Sequence, residues 1–168
     1  VLTSRGLGDV YKRQTLFTLC QVRSGLFTVL DPPKDFAGVQ TLLDERLVGD
    51  NYGAAYWPYL KTTYVDKNKM PVEVPPSAAV CAVFQHVDQS KGIWCAPANI
   101  ELAQVLGLSD SIPTSYEKSG ERAINPIVTF PDRGTKVWGC RTLSNGTDPA
   151  SRYVQVRRLL SYCEQQLG

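Results

Sequence analysis

The sequence predicts an α/β (α+β) domain, a mixed β-sheet flanked by helices, from three observations. Apolar strand-like runs alternate with amphipathic helical stretches in the first half of the chain. A strand–turn–strand pattern comes late, over residues 126–140. A long helical periodicity then closes the chain. With 168 residues, 43% hydrophobic and 20% charged, the chain has the length of one domain. A chain of this size buries about 70% of its unfolded surface and needs no staple.

Residues 1–14 (VLTSRGLGDVYKRQ) show neither period and no apolar stretch behind their charges, so they are not a signal peptide. They resemble translated sequencing-adapter read-through and are set apart as adapter-derived or disordered; the domain is expected over residues 15–168. Residues 15–22 then fit the tail of a helix. Residues 25–30 (GLFTVL) fit a buried strand closed by Asp31-Pro32-Pro33, since Pro32 keeps Asp31 out of the helical region. Phe36, Val39, Leu42, Leu43 and Leu47 fall at helical spacing. Residues 51–60 (NYGAAYWPYL) predict a second buried strand, ended by Pro58. The polar stretch 61–74 predicts a surface loop.

Pro75-Pro76-Ser77 opens a helix over residues 78–87, apolar all round and so expected to be buried. Residues 91–99 (KGIWCAPAN) predict an ordered loop, and residues 100–108 fit strand and helix alike. Thr114 and Glu117 have capping-box spacing, predicting a short helix that ends near Gly120. Residues 126–130 and 136–140 predict a hairpin about the turn Pro131-Asp132-Arg133-Gly134. Asp148-Pro149 supplies an N-cap and a preset first helical residue. Tyr153, Val156, Leu159, Leu160, Cys163 and Leu167 then line one expected inner face, with Arg157 and Arg158 off it.

The net charge of +2 resides in the head: removing Arg5, Lys12, Arg13 and Asp9 leaves 15 basic and 15 acidic residues. A neutral body lacks the electrostatic footprint of a phosphate-binding protein and tolerates self-association. No run of about 18 apolar residues occurs, so no membrane-spanning helix is expected. Five scattered cysteines without a CxxC predict reduced, buried thiols in an intracellular setting. With a single histidine, His86, zinc has no ligand pairs.

Neither GxxxxGK[ST] nor GxGxxG occurs, so Asp31 reads as a strand-end turn and not a magnesium ligand. No GxSxG elbow accompanies His86, whose expected place is the core or an interface. Asp44-Glu45 reads as a solvated helix face, and Arg152, Arg157 and Arg158 as a basic face pairing with acidic groups. Trp57, Trp94 and Trp138 read as core packing, with anchoring of subunit contacts as the functional alternative.

Four stretches carry a resemblance. They are Tyr56-Trp57-Pro58; then Val74-Pro75-Pro76-Ser77 with Asp88 and residues 91–99, which hold Gly92, Trp94, Pro97 and Asn99; then Asn125 with residues 130–134 and 137–143, which hold Gly134, Trp138, Gly139 and Arg141; and residues 152–159, which hold Arg157 and Arg158. In order and spacing they resemble the tail sheath protein of contractile-tailed bacteriophages, a family shared with contractile injection machines, over about residues 15–167. His86 and Cys95 depart from it, standing where basic residues are common.

The resemblance implies a tail-sheath-like core domain truncated at both ends, with the terminal arms and outer domain missing and a sheet edge left open. It implies a structural subunit and not an enzyme, with no cofactor or metal. Copies would stack as hexameric rings around a tail tube, meet tube and baseplate proteins, and contract to drive the tube through a cell envelope. Nucleic acid and membrane insertion play no part. The subunit would be assembled in the host bacterial cytoplasm and reside in a virion tail. Trp57, Pro58, Pro75, Pro76, Asp88, Gly92, Trp94, Pro97, Asn99, Asn125, Gly134, Trp138, Gly139, Arg141, Arg157 and Arg158 become structural or assembly candidates. The alternatives are the sheath of an extracellular contractile injection system, a small α/β hydrolytic enzyme using His86, and a nucleic-acid module using Arg152 to Arg158, which the neutral charge disfavours.

Overall fold

The computed structural model describes residues 2–4, 10–45, 47–111 and 124–168. Its centre is a five-stranded mixed sheet in the order β1 (Leu2–Ser4), β2 (Thr28–Leu30), β3 (Gly53–Trp57), β7 (Ile124–Phe130), β8 (Gly134–Val137). The first three neighbouring pairs are parallel. β7 and β8 form the expected antiparallel hairpin, with Ile127 opposite Val137 and Phe130 opposite Gly134.

β2 and β3 are buried at every position. A strand covered on both faces has no solvated side, which is why both were visible as unbroken apolar runs. Alternate residues serve opposite faces. Ala54 and Tyr56 join Val29, Ile127 and Leu60 in a core closed by the helix α3 (Ser77–Ser90). Ala55 and Trp57 join Leu30, Ile124 and Leu143 in a second core closed by α1 (Val10–Val22) and α2 (Phe36–Asp44). Each large apolar side chain so buried stabilises by about 1.5–3 kcal/mol. The helices therefore flank both faces, as the sequence predicts.

The stretch 61–74 is not the expected loop. It is a hairpin, β4 (Leu60–Val65) and β5 (Pro71–Val74), and β6 (Val105–Leu108) pairs with β4 to complete a separate three-stranded antiparallel sheet. β4 is polar because its outer half, Thr63, Tyr64 and Val65, is exposed, but its Thr62, Thr63, Tyr64 and Val65 are β-branched or aromatic. Asp66 organises the turn, its carboxylate accepting the Asn68 and Met70 amides at 2.8 and 3.0 Å. Of residues 100–108, Val105–Leu108 form a strand and Glu101 makes an isolated bridge to Lys136.

α1 begins at Val10, so the boundary drawn after residue 14 falls inside a helix. Arg13 is buried there and makes an ion pair with Glu45, whose side chain stays 36% exposed, while Asp44 beside it is exposed as the sequence suggests. The helix expected over 114–120 lies outside the described residues. α3 is not buried all round: Val80, Val83, Phe84 and Val87 face the core, while Ala82 and His86 are exposed.

The terminal helix departs most. It is interrupted at Tyr153, in extended conformation, between α4 (Pro149–Arg152) and α5 (Val154–Leu167). Its buried residues are Val154, Arg157, Arg158 and Ser161, not the predicted apolar stripe. All five cysteines are free as expected, but only Cys20 is buried, and Cys163 is exposed.

Candidate assembly site

The reason α5 turns its arginines inward lies on α3. Asp88, one turn beyond Phe84, presents both carboxylate oxygens to Arg158, whose Nη1 and Nη2 donate to them at 3.0 and 2.5 Å. The planar guanidinium suits this two-point grip. Its Cζ also sits 4.7 Å from the Phe84 ring centroid, a cation–π contact sheltered from water. Arg157 repeats the device: Nη2 donates to Glu164 Oε1 at 3.1 Å, and Cζ lies 4.9 Å from the Tyr52 ring centroid. A buried cation is costly alone and tolerable when paired and hydrogen-bonded. Arg158 is therefore an internal link between helices and Arg157 a pair within α5; pairing with acidic groups of the same domain holds for these two, while Arg152 makes no ion pair among the described residues.

A second cluster ties the sheet to the start of the terminal helix. Asn125 on β7 donates from Nδ2 to the carbonyl oxygens of Ala55 and Arg141, at 3.2 and 2.7 Å, and accepts the Arg141 amide at 2.7 Å on Oδ1. Gly139 permits this approach: a Cβ there would stand 2.8 Å from Asn125 Oδ1 and 3.1 Å from its Cα. Arg141 pairs with Tyr153 in an isolated antiparallel bridge, and the Val154 amide donates to the Cys140 carbonyl at 2.9 Å.

The remaining candidates are spread over the fold. Trp57 is fully buried, donates from Nε1 to the Lys34 carbonyl at 3.0 Å and packs on Phe36. Pro58 follows it through a cis peptide bond and ends β3. Pro75 and Pro76 lead into α3, whose first residue is anchored by Asp31: the Ser77 amide and hydroxyl donate to its carboxylate at 3.0 and 2.6 Å. Sequence reasoning left Asp31 as a strand-end turn; it holds the start of α3, 46 residues further on. Pro97 is buried, and the Asn99 amide donates to the Val137 carbonyl at 2.7 Å, covering the outer edge of β8. Gly134 has φ +74° at the hairpin turn, where a side chain would be strained.

Trp94 and Trp138 break the core-packing expectation. Trp94 is 65% exposed, folded against Gly92, and Trp138 is 49% exposed, its ring 4.9 Å from Phe130. Phe84, Tyr52 and Glu164 were missed. Glu164 carried a signal, two helical turns beyond Arg157; Tyr52 and Phe84 carried none, being brought to the arginines by the tertiary fold.

Burial raises the thiol pKa of Cys20, Cys81 and Cys140 and the hydroxyl pKa of Tyr56 above their ordinary values. The Tyr56 hydroxyl has no hydrogen-bond partner among the described residues. His86 lines an open groove with Ala79, Ala82 and Glu101, and no hydroxyl or thiol lines that groove. No cluster of His, Cys, Asp or Glu suited to a metal occurs among the described residues.

Chains of contractile-sheath assemblies share this layered α/β fold. A chain of the anti-feeding prophage baseplate in its contracted state is 38% identical, with a TM-score of 0.83, over 94% of this chain and 42% of its own length. A chain of an extracellular contractile injection system, the PVC sheath complex in its contracted state, is 33% identical with a TM-score of 0.77, over 99% of this chain and 46% of its own. The contracted helical sheath of the anti-feeding prophage gives 26% identity and a TM-score of 0.62, over 96% and 51%. The chain thus spans about half the length of the chains it matches or somewhat less. No protein-family model matches it, and neither does any curated protein. The resemblance to the sheath family drawn from motifs is upheld.

Proposed function

We propose that this chain is the core of a structural subunit in a contractile sheath, which polymerises around a tail tube and shortens to drive the tube through a target envelope. The observation that carries it is the 38% identity and TM-score of 0.83 over 94% of the chain, to a contractile machine. Copies of the subunit are its first partners, and tube and baseplate proteins follow. Its work is mechanical and not catalytic: the ionisable groups at the α3–α5 junction are consumed in internal pairs. Asn125, Gly139, Arg141, Asp88, Arg157 and Arg158 keep the core rigid, and Trp94 and Trp138 face neighbouring subunits, where exposed tryptophan is a favoured anchor.

Between a virion tail and an injection system, the second reading is favoured by the machines named above, the anti-feeding prophage and the PVC extracellular contractile injection system. Electron microscopy of the purified protein at rising concentration tests the proposal. Tubular or ring-shaped polymers are expected; a monomer that persists at the highest concentration, by sedimentation as well as imaging, overturns it.

A further inference from the structure

Two surfaces of this molecule lie apart within one copy, one a helix face and the other a groove. The first is the outer side of α5. Opposite its buried Val154, Arg157, Arg158 and Ser161, the helix carries Val156, Leu160, Cys163 and Leu167 at four-, three- and four-residue spacing. That is the seam pattern by which one helix packs into another. Leu160, Cys163 and Leu167 are exposed, Leu167 to 89%. The second surface is a groove of about 310 Å³ between α3 and residues 100–103, walled by Ala79, Ala82, His86, Ile100 and Ala103 with Glu101 at its rim. At about 100° per residue, Ala79, Ala82 and His86 lie on the far side of α3 from Asp88, and so from this copy's own α5.

Bulky residues protrude from one surface, and small residues recess the other. The charges match as well. Glu101 at the groove and Arg152, on α4 just before the break at Tyr153, each lack an ion-pair partner among the described residues. No free charge interrupts the stripe, since its neighbour Glu164 is held by Arg157. We infer that copies of this chain join head to tail, the outer stripe of α5 from one copy seated in the α3 groove of the next, with Arg152 meeting Glu101. Two different complementary patches make a heterologous contact, which propagates into rings or helical polymers and does not close as a pair. The inference rests on the sheath reading and names the surfaces that would execute it.

Cys163 supplies the test. Ala82→Cys places a second thiol in the groove, and the full chain is oxidised under the conditions used for imaging polymers. A ladder of dimers, trimers and higher species is expected, absent from the unaltered chain and from Ala82→Cys with Cys163→Ser. A ladder that stops at dimer means symmetric pairing and overturns the inference. Polymers in the microscope without cross-links overturn it while leaving the sheath reading intact; failure of both polymers and cross-links overturns the two together. Arg152→Glu should lower cross-linking about threefold, and Glu101→Arg in the same chain should restore it, the pattern of a direct charge pair and not of damaged folding.

Discussion

Helices α3 and α5 meet at Asp88 and are built on opposite plans. α3 buries Val80, Val83, Phe84 and Val87 and shows solvent alanines and a histidine. α5 buries two arginines and a serine and shows solvent Leu160 and Leu167. The first is oriented by apolar burial, the second by a carboxylate on its neighbour. A helix turns its charged side inward when acids and ring faces there satisfy the charges; its apolar side is then left for something else to cover.

The comparison can be broken in order of size. Phe84→Ala should cost about 4 kcal/mol in denaturant unfolding, because it opens the apolar face of α3 and removes the ring beneath Arg158. Asp88→Ala should cost about 2 kcal/mol, less than for a wholly buried pair because the Asp88 side chain is 28% exposed. Replacing both partners, Asp88→Leu with Arg158→Met, should recover most of that loss; a double variant as unstable as the sum of its parts would refute the account of α5.

The smallest effect concerns the thiols. Burial holds Cys81, on α3, and Cys140 protonated above the ordinary value of 9.0. In the unfolded chain they ionise near that value, so at alkaline pH the unfolded state binds fewer protons. Their contribution is intact below about pH 9 and declines as pH rises further. Unfolding midpoints measured from about pH 8 to about pH 10 should fall less steeply in a Cys81→Ala, Cys140→Ala variant. Equal slopes would contradict this. In the unassembled chain, Cys163, exposed on α5, should be first to react with a thiol reagent.

Much of the layered plan was legible. Residues 25–30 and 51–60 announced buried strands because both their faces are covered, and Asp148-Pro149 announced a helix start that the structure places there. The Asp148 carboxylate accepts the Ala150 amide at 3.3 Å. The polar strand β4 was hidden, since an exposed strand offers no hydrophobic alternation to detect. The orientation of α5 was hidden because an apolar stripe says only that a face seeks cover, and Asp88 lies 70 residues from Arg158. The division of the assembly candidates into an inner clasp and exposed tryptophans was hidden, because only tertiary packing decides it.

The Asn125 clasp has a consequence in terms of load. A pull on the terminal helix first meets the bonds from Val154 to Cys140 and from Thr142 to Arg152, each 2.9 Å. It passes through the Arg141 backbone into the side chain of Asn125, and from there to Ala55 on the central strand. Asn125 shares this route with the Leu143 amide, which donates to the Gly53 carbonyl on the same strand at 2.9 Å. Tension on α5 is delivered to a strand held on both sides by parallel neighbours, the part of the structure least able to peel away.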